Sequence, residues 1–249
     1  MAKRCPILWL EETDSTQNVF LGHIPEYDNM SVAAAKLQTA GRGQRGNRWL
    51  ADKGENLTFS MLLKFGEDSL PILKATDQFM ITVAATLGVV SYLDSCGIES
   101  TIKWPNDIYV RNRKVCGMLI ENQLDGQYIA SSVIGIGLNV NQKVFPSSLP
   151  NPTSMSFQTG KTYILEEELE TLRNHLCKSF MANLTDEGAF VEYESRLYRK
   201  DVFHEYVRCT DGSSFEGMIV GVDRYGILLI DNRKGERFRF AFKEISYII

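Results

Sequence analysis

Apolar and polar residues alternate along the chain in a pattern that predicts short strands and a few longer helices. Apolar stretches bounded by turn residues are typical of strands, and apolar positions recurring every three or four residues are typical of helices. Strands are predicted over residues 7–10, 32–38, 56–64, 101–104, 108–110, 115–123 and 128–140, and the last two are predicted to form a hairpin that turns at Asp125-Gly126. Helices are predicted over residues 16–21, 75–96, 165–184 and 187–199. Because strands and helices do not alternate regularly, the pattern predicts an α+β fold with a mixed sheet.

The pattern changes after Lys200. Short strands are predicted over residues 206–209, 215–222, 227–230, 237–242 and 247–249. Glycine turns separate several of them, at Gly212, Gly226 and Gly235. Closely spaced strands and turns are typical of a small all-β barrel. We therefore expect two domains, residues 1–200 and residues 201–249.

Composition and charge exclude several classes of protein. The net charge of −4 argues against a general nucleic-acid binder. The longest apolar region, residues 79–93, is too short and too interrupted by polar residues to span a bilayer. The five scattered cysteines predict neither a disulfide framework nor a structural zinc site. No signal peptide is recognised, so a cytoplasmic location is expected.

The sequence of residues 38–49, QTAGRGQRGNRW, alternates three glycines with three arginines. Glycine lets the backbone approach a ligand closely and adopt positive φ. The arginine guanidinium presents a fixed fork of donors that suits carboxylate and phosphate oxygens. This glycine–arginine loop is therefore a candidate for closing over an anion, although a solvated basic turn has the same composition.

Two nucleotide-binding motifs are matched only in part. Gly41, Gly43 and Gly46 have the spacing of the dinucleotide fingerprint. That fingerprint must open a helix, and none is predicted there, so a Rossmann fold is excluded. Residues 160–162, GKT, resemble the end of a P-loop, but Met155 stands where its first glycine is required.

Two further stretches are candidates for binding. In KWPND, residues 103–107, proline stiffens a turn from which Asp107 could hold Mg²⁺ on a phosphate. An Asn-Asp turn that caps its own backbone accounts for the same residues. Gly135 and Gly137 lie inside a predicted strand, which indicates close approach of a ligand, or tight packing against a helix. With a ligand there, Asn139 would offer its amide to an adenine edge.

The combination of motifs is more specific than any single one. DSTQ at 14–17, QTAGRGQRG at 38–46, KWPND at 103–107, RKVCG at 113–117 and GIGLN at 135–139 together resemble the biotin–protein ligase family. The resemblance implies a catalytic domain with a mixed sheet related to class II aminoacyl-tRNA synthetases, followed by a small SH3-like barrel. It also implies a reaction: biotin and ATP form biotinyl-5′-AMP, and the biotinyl group passes to a lysine of a biotin carboxyl carrier protein.

The resemblance assigns roles to individual residues. The residues expected to bind biotin are Ser15, Thr16, Gln17, Gln38, Gly41, Arg42, Gly43, Gln44, Lys114 and Gly117. The residues expected to bind ATP are Arg45, Arg48, Trp49, Lys103, Asn106, Asp107 and Asn139. Those expected to be catalytic are Arg42, Lys114 and Asp107, of which Asp107 also binds Mg²⁺. Because the biotin carboxylate and the α-phosphate are both anions, fixed cations are required between them.

Gln44 departs from the family pattern. Many members carry GRGR, and the arginine that Gln44 replaces helps to retain the reactive adenylate. Glutamine keeps hydrogen-bonding capacity but no charge. Arg45 is the candidate for supplying the missing cation, because a small backbone change in a glycine-flanked loop would turn its guanidinium inward.

Two alternative functions are weighed against the biotin ligase. A lipoate or octanoate ligase of the same superfamily would not use the polar set at residues 15–17 and Gln38, because these acids have no ureido group. A biotin-responsive repressor needs a DNA-binding domain, and the 14 residues before Ser15 are too few for one. We expect an enzyme that binds neither DNA nor membranes and uses ATP, biotin and Mg²⁺. The sequence leaves a homodimer open.

Overall fold

A mixed eight-stranded sheet dominates the fold in the computed structural model, which describes residues 6–67 and 70–249 apart from the Arg45 side chain. Its strands are β1 (Ile7–Leu10), β2 (Val32–Ala35), β3 (Asn56–Lys64), β4 (Leu73–Lys74), β5 (Thr101–Lys103), β6 (Asp107–Val110), β7 (Arg113–Asp125) and β8 (Tyr128–Asn139). The order is β1-β2-β3-β8-β7-β6-β5, and β4 pairs with β8. β1 and β2 run parallel, whereas the other neighbours run antiparallel. The predicted α+β class with a mixed sheet is confirmed.

Helices pack on both faces of this sheet: the first, at residues 16–20, lies in a small separate apolar cluster with Ala33, Leu62 and Val133, whereas the others share the main core. The helices are α1 (Thr16–Phe20), α2 (Phe79–Ser95), α3 (Met155–Thr159), α4 (Leu165–Asn183) and α5 (Glu187–Ser195). Twelve of the 17 residues of α2 are buried, because α4 and α5 also pack against it. α2 and α4 approach each other closely at Gly88, because glycine has no Cβ and an added one would lie 3.0 Å from Leu176 of α4.

Some predicted element bounds are confirmed and others are wrong, at strand ends as well as helix ends: the strand predicted over residues 32–38 stops at Ala35. β3 spans the predicted residues 56–64, and the β7–β8 hairpin turns at Gly126, which has a positive φ of 57°. Residues 75–77 form a separate 3₁₀ turn before α2. The last predicted helix ends at Ser195, because the backbone of Arg196 and Tyr198 then pairs with Ile102. The short helix α3 was not predicted.

The C-terminal residues form a second sheet. Its strands are β9 (Phe203–Arg208), β10 (Ser214–Val222), β11 (Leu228–Asp231), β12 (Arg237–Phe240) and β13 (Ile245–Tyr247), in the antiparallel order β12-β11-β10-β9-β13. A closed barrel is not found among the described residues, since β12 and β13 do not pair. A turn between them, with Glu244 N donating to Ala241 O, directs β13 to β9 instead.

The second sheet packs beside the KWPND turn of the first. Trp104 Nε1 donates to Gly226 O, between β10 and β11, at 3.1 Å, and from α5 the Tyr193 hydroxyl donates to Pro105 O at 2.8 Å. One continuous apolar core joins both sheets. Within residues 6–67 and 70–249, no helix has the length and apolar character needed to cross a membrane.

Candidate functional site

A cavity of about 210 Å³ lies between the glycine–arginine loop, β7 and the KWPND turn. Fourteen of the residues to which the resemblance assigns a role line it, namely Ser15, Thr16, Gln17, Gln38, Arg42, Gly43, Gln44, Arg48, Trp49, Lys103, Asn106, Asp107, Lys114 and Gly117. Gly41 lines a neighbouring cavity instead. Asn139 does not line the cavity, and its Nδ2 donates to Thr153 O at 2.9 Å. The Arg45 side chain lies outside the described residues.

One part of the cavity wall is polar but uncharged. The backbone N and Oγ1 of Thr16 donate to Gln38 Oε1 at 2.8 and 3.2 Å. Thr16 Oγ1 also lies 2.8 Å from Ser60 Oγ. Gln17 Nε2 donates to Leu119 O at 3.1 Å. These bonds orient the polar side chains before any ligand arrives, and they suit a neutral ligand with hydrogen-bonding groups.

Three buried polar atoms of the cavity lining have no hydrogen-bond partner among the described residues. They are Oε1 of Gln17, Oε1 of Gln44 and Nε1 of Trp49. Buried polar atoms in folded proteins are nearly always hydrogen-bonded, so unpartnered ones require an explanation. Two acceptors and one donor are therefore available to a polar ligand in this cavity.

The cavity lining also carries an excess of positive charge. Its cationic side chains are Arg42, Arg48, Lys103 and Lys114, against the single carboxylate of Asp107 among the described lining residues. Lys114 Nζ lies 2.7 Å from Asp107 Oδ1. Burial lowers the pKa of Lys103, whose ammonium lies 4.5 Å from the centroid of the Tyr247 ring. This local excess of positive charge contrasts with the net charge of −4 on the whole chain. It therefore favours an anionic ligand in the cavity.

A β-bulge directs Lys114 into the cavity. The pairing of β6 with β7 is shifted so that β7 has one extra residue, Val115, between Lys114 and Cys116. Bulges of this kind re-aim a side chain relative to the strand. Lys114 thus shares a face with Gly117, and a Cβ added to Gly117 would lie 2.9 Å from Lys114 Nζ. The sequence contains no signal for this bulge.

The glycines of β8 make room for two side chains of the protein itself, one from the glycine–arginine loop and one from helix α1. A Cβ added to Gly137 would collide with the Trp49 ring, and one added to Gly135 would lie 3.2 Å from the Gln17 side chain. Packing against a helix is therefore confirmed at Gly135, since Gln17 belongs to α1, whereas close approach of a ligand stays a prediction. The glycines let two wall-forming side chains lie flat on β8.

Phe242 is a cavity residue that the sequence did not indicate. It follows β12 in the second sheet, lines the cavity, and its ring centroid lies 5.9 Å from that of Trp104. No motif connects residue 242 to the catalytic stretches. Only the packing of the second sheet against the KWPND turn brings Phe242 to the cavity.

The side chains around Asp107 fit a metal ion only together with a phosphate ligand. Across residues 6–67 and 70–249, no group of three or more His, Cys, Asp or Glu side chains is arranged to hold a metal. Mg²⁺ commonly uses one or two carboxylates and completes its shell with substrate phosphates and water. Asp107 therefore fits an ion that arrives with a nucleotide.

The family profile described as the biotin/lipoate A/B protein ligase family matches residues 9–139, more than half of the chain. The chain belongs to this family. The matched segment holds the glycine–arginine loop, the KWPND turn and the β7–β8 hairpin, so it contains most of the cavity lining.

Individual members of the biotin/lipoate A/B protein ligase family agree with this assignment. The bifunctional ligase/repressor BirA of Bacillus spizizenii is 29% identical over 209 residues, which cover 82% of this chain and 62% of that protein. The biotin–[acetyl-CoA-carboxylase] ligase of Paracoccus denitrificans is 27% identical over 236 residues, covering 92% and 95%. The structure of biotin protein ligase from Aquifex aeolicus in complex with biotin and ATP matches with a TM-score of 0.74 and 25% identity, covering 96% and 97%. The chain thus spans less than two thirds of the Bacillus relative. The family resemblance inferred from the motifs is confirmed.

Proposed function

We propose that the protein is an ATP-dependent biotin–protein ligase. It would form biotinyl-5′-AMP and pyrophosphate, and then transfer the biotinyl group to a lysine of a biotin carboxyl carrier protein. One observation carries the proposal: a single cavity combines an uncharged polar wall, with unpartnered atoms on Gln17, Gln44 and Trp49, and an excess of cations. The relatives named for biotin ligation and the structural neighbour with biotin and ATP support it.

The polar wall is proposed to hold the ureido ring of biotin. A ureido group has two N–H donors and one carbonyl acceptor, so it needs both kinds of partner without charge. The unpartnered Oε1 of Gln17 would accept from one N–H. The remaining residues proposed for biotin are Ser15, Thr16, Gln38, Gly41, Gly43, Gln44 and Gly117.

Arg42 and Lys114 are proposed to bring the two anionic reactants together. The biotin carboxylate must attack the α-phosphate, and positive charge fixed in advance stabilises the charge that develops. The reaction then depends on positioning and charge, without a covalent enzyme intermediate. Mg²⁺ would enter bound to ATP, with Asp107 as its protein ligand.

The remaining predicted residues are proposed for ATP, namely Arg45, Arg48, Trp49, Lys103, Asn106 and Asn139. Asn139 would offer adenine its Oδ1 acceptor and the Nδ2 hydrogen that is not donated to Thr153 O. Asn106 Nδ2 donates to Met118 O, and Asn106 Oδ1 would be the acceptor that this residue presents to a ligand in the cavity. Trp49 brings an aromatic face and a free indole N–H.

The proposal also covers the domain organisation, the cellular location and the oligomeric state of the enzyme. Residues 1–200 would be the catalytic domain, related to class II aminoacyl-tRNA synthetases, and residues 201–249 an SH3-like domain. The change to short antiparallel strands after Lys200 supports this division. We also propose a cytoplasmic enzyme and leave a homodimer open.

Two alternative functions, a lipoate ligase and a DNA-binding repressor, can be distinguished from the biotin ligase by experiment. A lipoate ligase is compatible with the family description, but the polar wall of Thr16, Gln17 and Gln38 disfavours an acid with an apolar tail. The Bacillus relative is named a ligase and repressor, so DNA binding is the alternative of another class. Specific binding to a biotin-operon promoter at physiological salt would favour the repressor.

The proposed activity is tested with purified protein, ATP, Mg²⁺, biotin and a carrier domain. We expect biotin-dependent pyrophosphate release and one biotin on each carrier domain. A carrier whose acceptor lysine is replaced by arginine is the matched control, and it should remain unlabelled while pyrophosphate is still released. Modification with lipoate but not with biotin would overturn the proposal.

A further inference from the structure

Glu121 on β7 forms a two-pronged ion pair with Arg42 of the glycine–arginine loop. Arg42 Nη2 lies 2.8 Å from Glu121 Oε2, and Nη1 lies 3.4 Å from Oε1. Arg42 lines the main cavity, and both residues line a neighbouring cavity between the loop and β7. Glu121 belongs to none of the five sequence motifs, so nothing so far gives it a role.

The register of β7 brings Glu121 to the loop. From Gly117 onward β7 pairs with β8 without a shift through Glu121, which is opposite Val133. Alternate residues of a strand share a face, so Gly117, Leu119 and Glu121 point the same way. The strand that carries Lys114 and Gly117 to the cavity therefore also carries the carboxylate that holds Arg42.

The position of Arg42 is linked to the rest of the loop by backbone hydrogen bonds. Arg42 and Arg48 are bridge partners, Gly43 N donates to Asn47 O at 2.7 Å, and Trp49 N donates to Gly41 O at 3.0 Å. These bonds make residues 41–49 a small closed hairpin. An anchor at Arg42 consequently also helps to place the Trp49 ring in the cavity.

The Arg42–Glu121 pair is weak enough to open. The side chains are 38% and 34% exposed, and ion pairs at this exposure contribute little to stability. Such a pair sets the orientation of a guanidinium without locking the loop. We propose that Glu121 is a positioning residue that aims Arg42 into the cavity and favours the closed loop. The role in catalysis rests on the proposed ligase function.

The test compares Glu121→Gln with Glu216→Gln. The control removes another exposed two-pronged pair, between Glu216 and Arg233 of the second sheet. We expect Glu121→Gln to raise the KM for biotin and the escape of biotinyl-adenylate about two- to fivefold, with a smaller change in kcat. Glu216→Gln should match the wild type. In an Arg42→Ala background, Glu121→Gln should have no additional effect, because it acts through Arg42.

A second readout does not depend on activity. The loop contains three sites for trypsin, after Arg42, Arg45 and Arg48. In ligand-free protein, Glu121→Gln should be cut there about two- to fivefold faster than the wild type or Glu216→Gln. Unchanged cleavage, KM and adenylate escape, or a further loss in the Arg42→Ala background, would overturn the inference. A wild type without biotin-dependent pyrophosphate release would contradict the proposed function instead, and the cleavage rates would still decide whether Glu121 holds Arg42 and the loop.

Discussion

Lys114 Nζ lies 2.7 Å from Asp107 Oδ1 at the cavity, although the two residues belong to different strands and different motifs. Their side chains are 32% and 24% exposed, so a ligand can reach both. The carboxylate beside the lysine holds the ammonium in place before the substrates enter. In the proposed reaction, Asp107 would hold Mg²⁺, which would supply positive charge to the phosphates, and Lys114 would lie beside the reacting anions.

Replacing Lys114 tests the role of this cation. Lys114→Ala removes positive charge from the developing transition state, so kcat for biotin-dependent pyrophosphate release should fall about a hundredfold or more. Lys143→Ala, at an exposed lysine that does not line the cavity, is the control and should be unaffected. A near-wild-type rate for Lys114→Ala would show that the lysine has no catalytic role.

Replacing Gly137 tests whether the loop tryptophan lies on β8. The Cβ of Gly137→Ala would collide with the Trp49 ring, and overpacking of this kind costs about 1–3 kcal/mol. We expect a lower Tm and weaker binding of both substrates. Gly135→Ala, two residues away on the same strand, meets only the flexible Gln17 side chain and should lower Tm less. Equal Tm values for the two variants would contradict the observed position of Trp49.

The glutamine at position 44 bears on how tightly the enzyme retains the biotinyl-adenylate intermediate. Its Nε2 lies 3.4 Å from Met118 O and it brings no charge to the loop. We predict that Arg45 compensates, because loss of a reactive anhydride would waste ATP and specificity. With biotin, ATP and a bystander protein but no carrier, the wild type should label the bystander little and Arg45→Ala clearly more. Heavy labelling by the wild type that Gln44→Arg suppresses would refute compensation.

The partly buried Lys103 predicts a pH-dependent stability. Burial lowers the pKa of Lys103 in the folded state, because the charged ammonium is poorly solvated there. At pH values below the folded pKa, the charged lysine therefore lowers the free energy of unfolding. As the pH rises from the folded pKa towards the unfolded value, the folded protein loses the proton first and the penalty disappears. Lys103→Met should therefore be more stable than the wild type at neutral pH, by a margin that shrinks at alkaline pH. Denaturant unfolding across this range measures it, and a margin independent of pH would contradict the assignment to Lys103.

Local signals were sufficient for much of the fold. Apolar runs with clear turn residues predicted β3 and the β7–β8 hairpin, because Gly126 provides the positive φ that its turn requires. The helix ends were less predictable. α5 stops at Ser195 because residues 196–198 pair with β5, a contact between distant parts of the chain that periodicity does not reveal.

The candidate site was predictable only where motifs exist. The motifs named most of the cavity lining, since glycine, arginine and polar side chains have recognisable spacing. The bulge at Val115, the position of Phe242 and the pair between Arg42 and Glu121 depend on strand register and packing of the two sheets. Such features arise from tertiary structure, so single-sequence patterns do not contain them.

The most direct test of the account is isothermal titration calorimetry of the protein with biotin and, separately, with lipoate. The polar wall of Thr16, Gln17 and Gln38 predicts that biotin binds more tightly, because its ureido group pairs with atoms that an apolar tail leaves unpartnered. Gln17→Leu removes the unpartnered Oε1 and should weaken biotin binding more than lipoate binding. Tighter binding of lipoate than of biotin by the wild type would contradict the account.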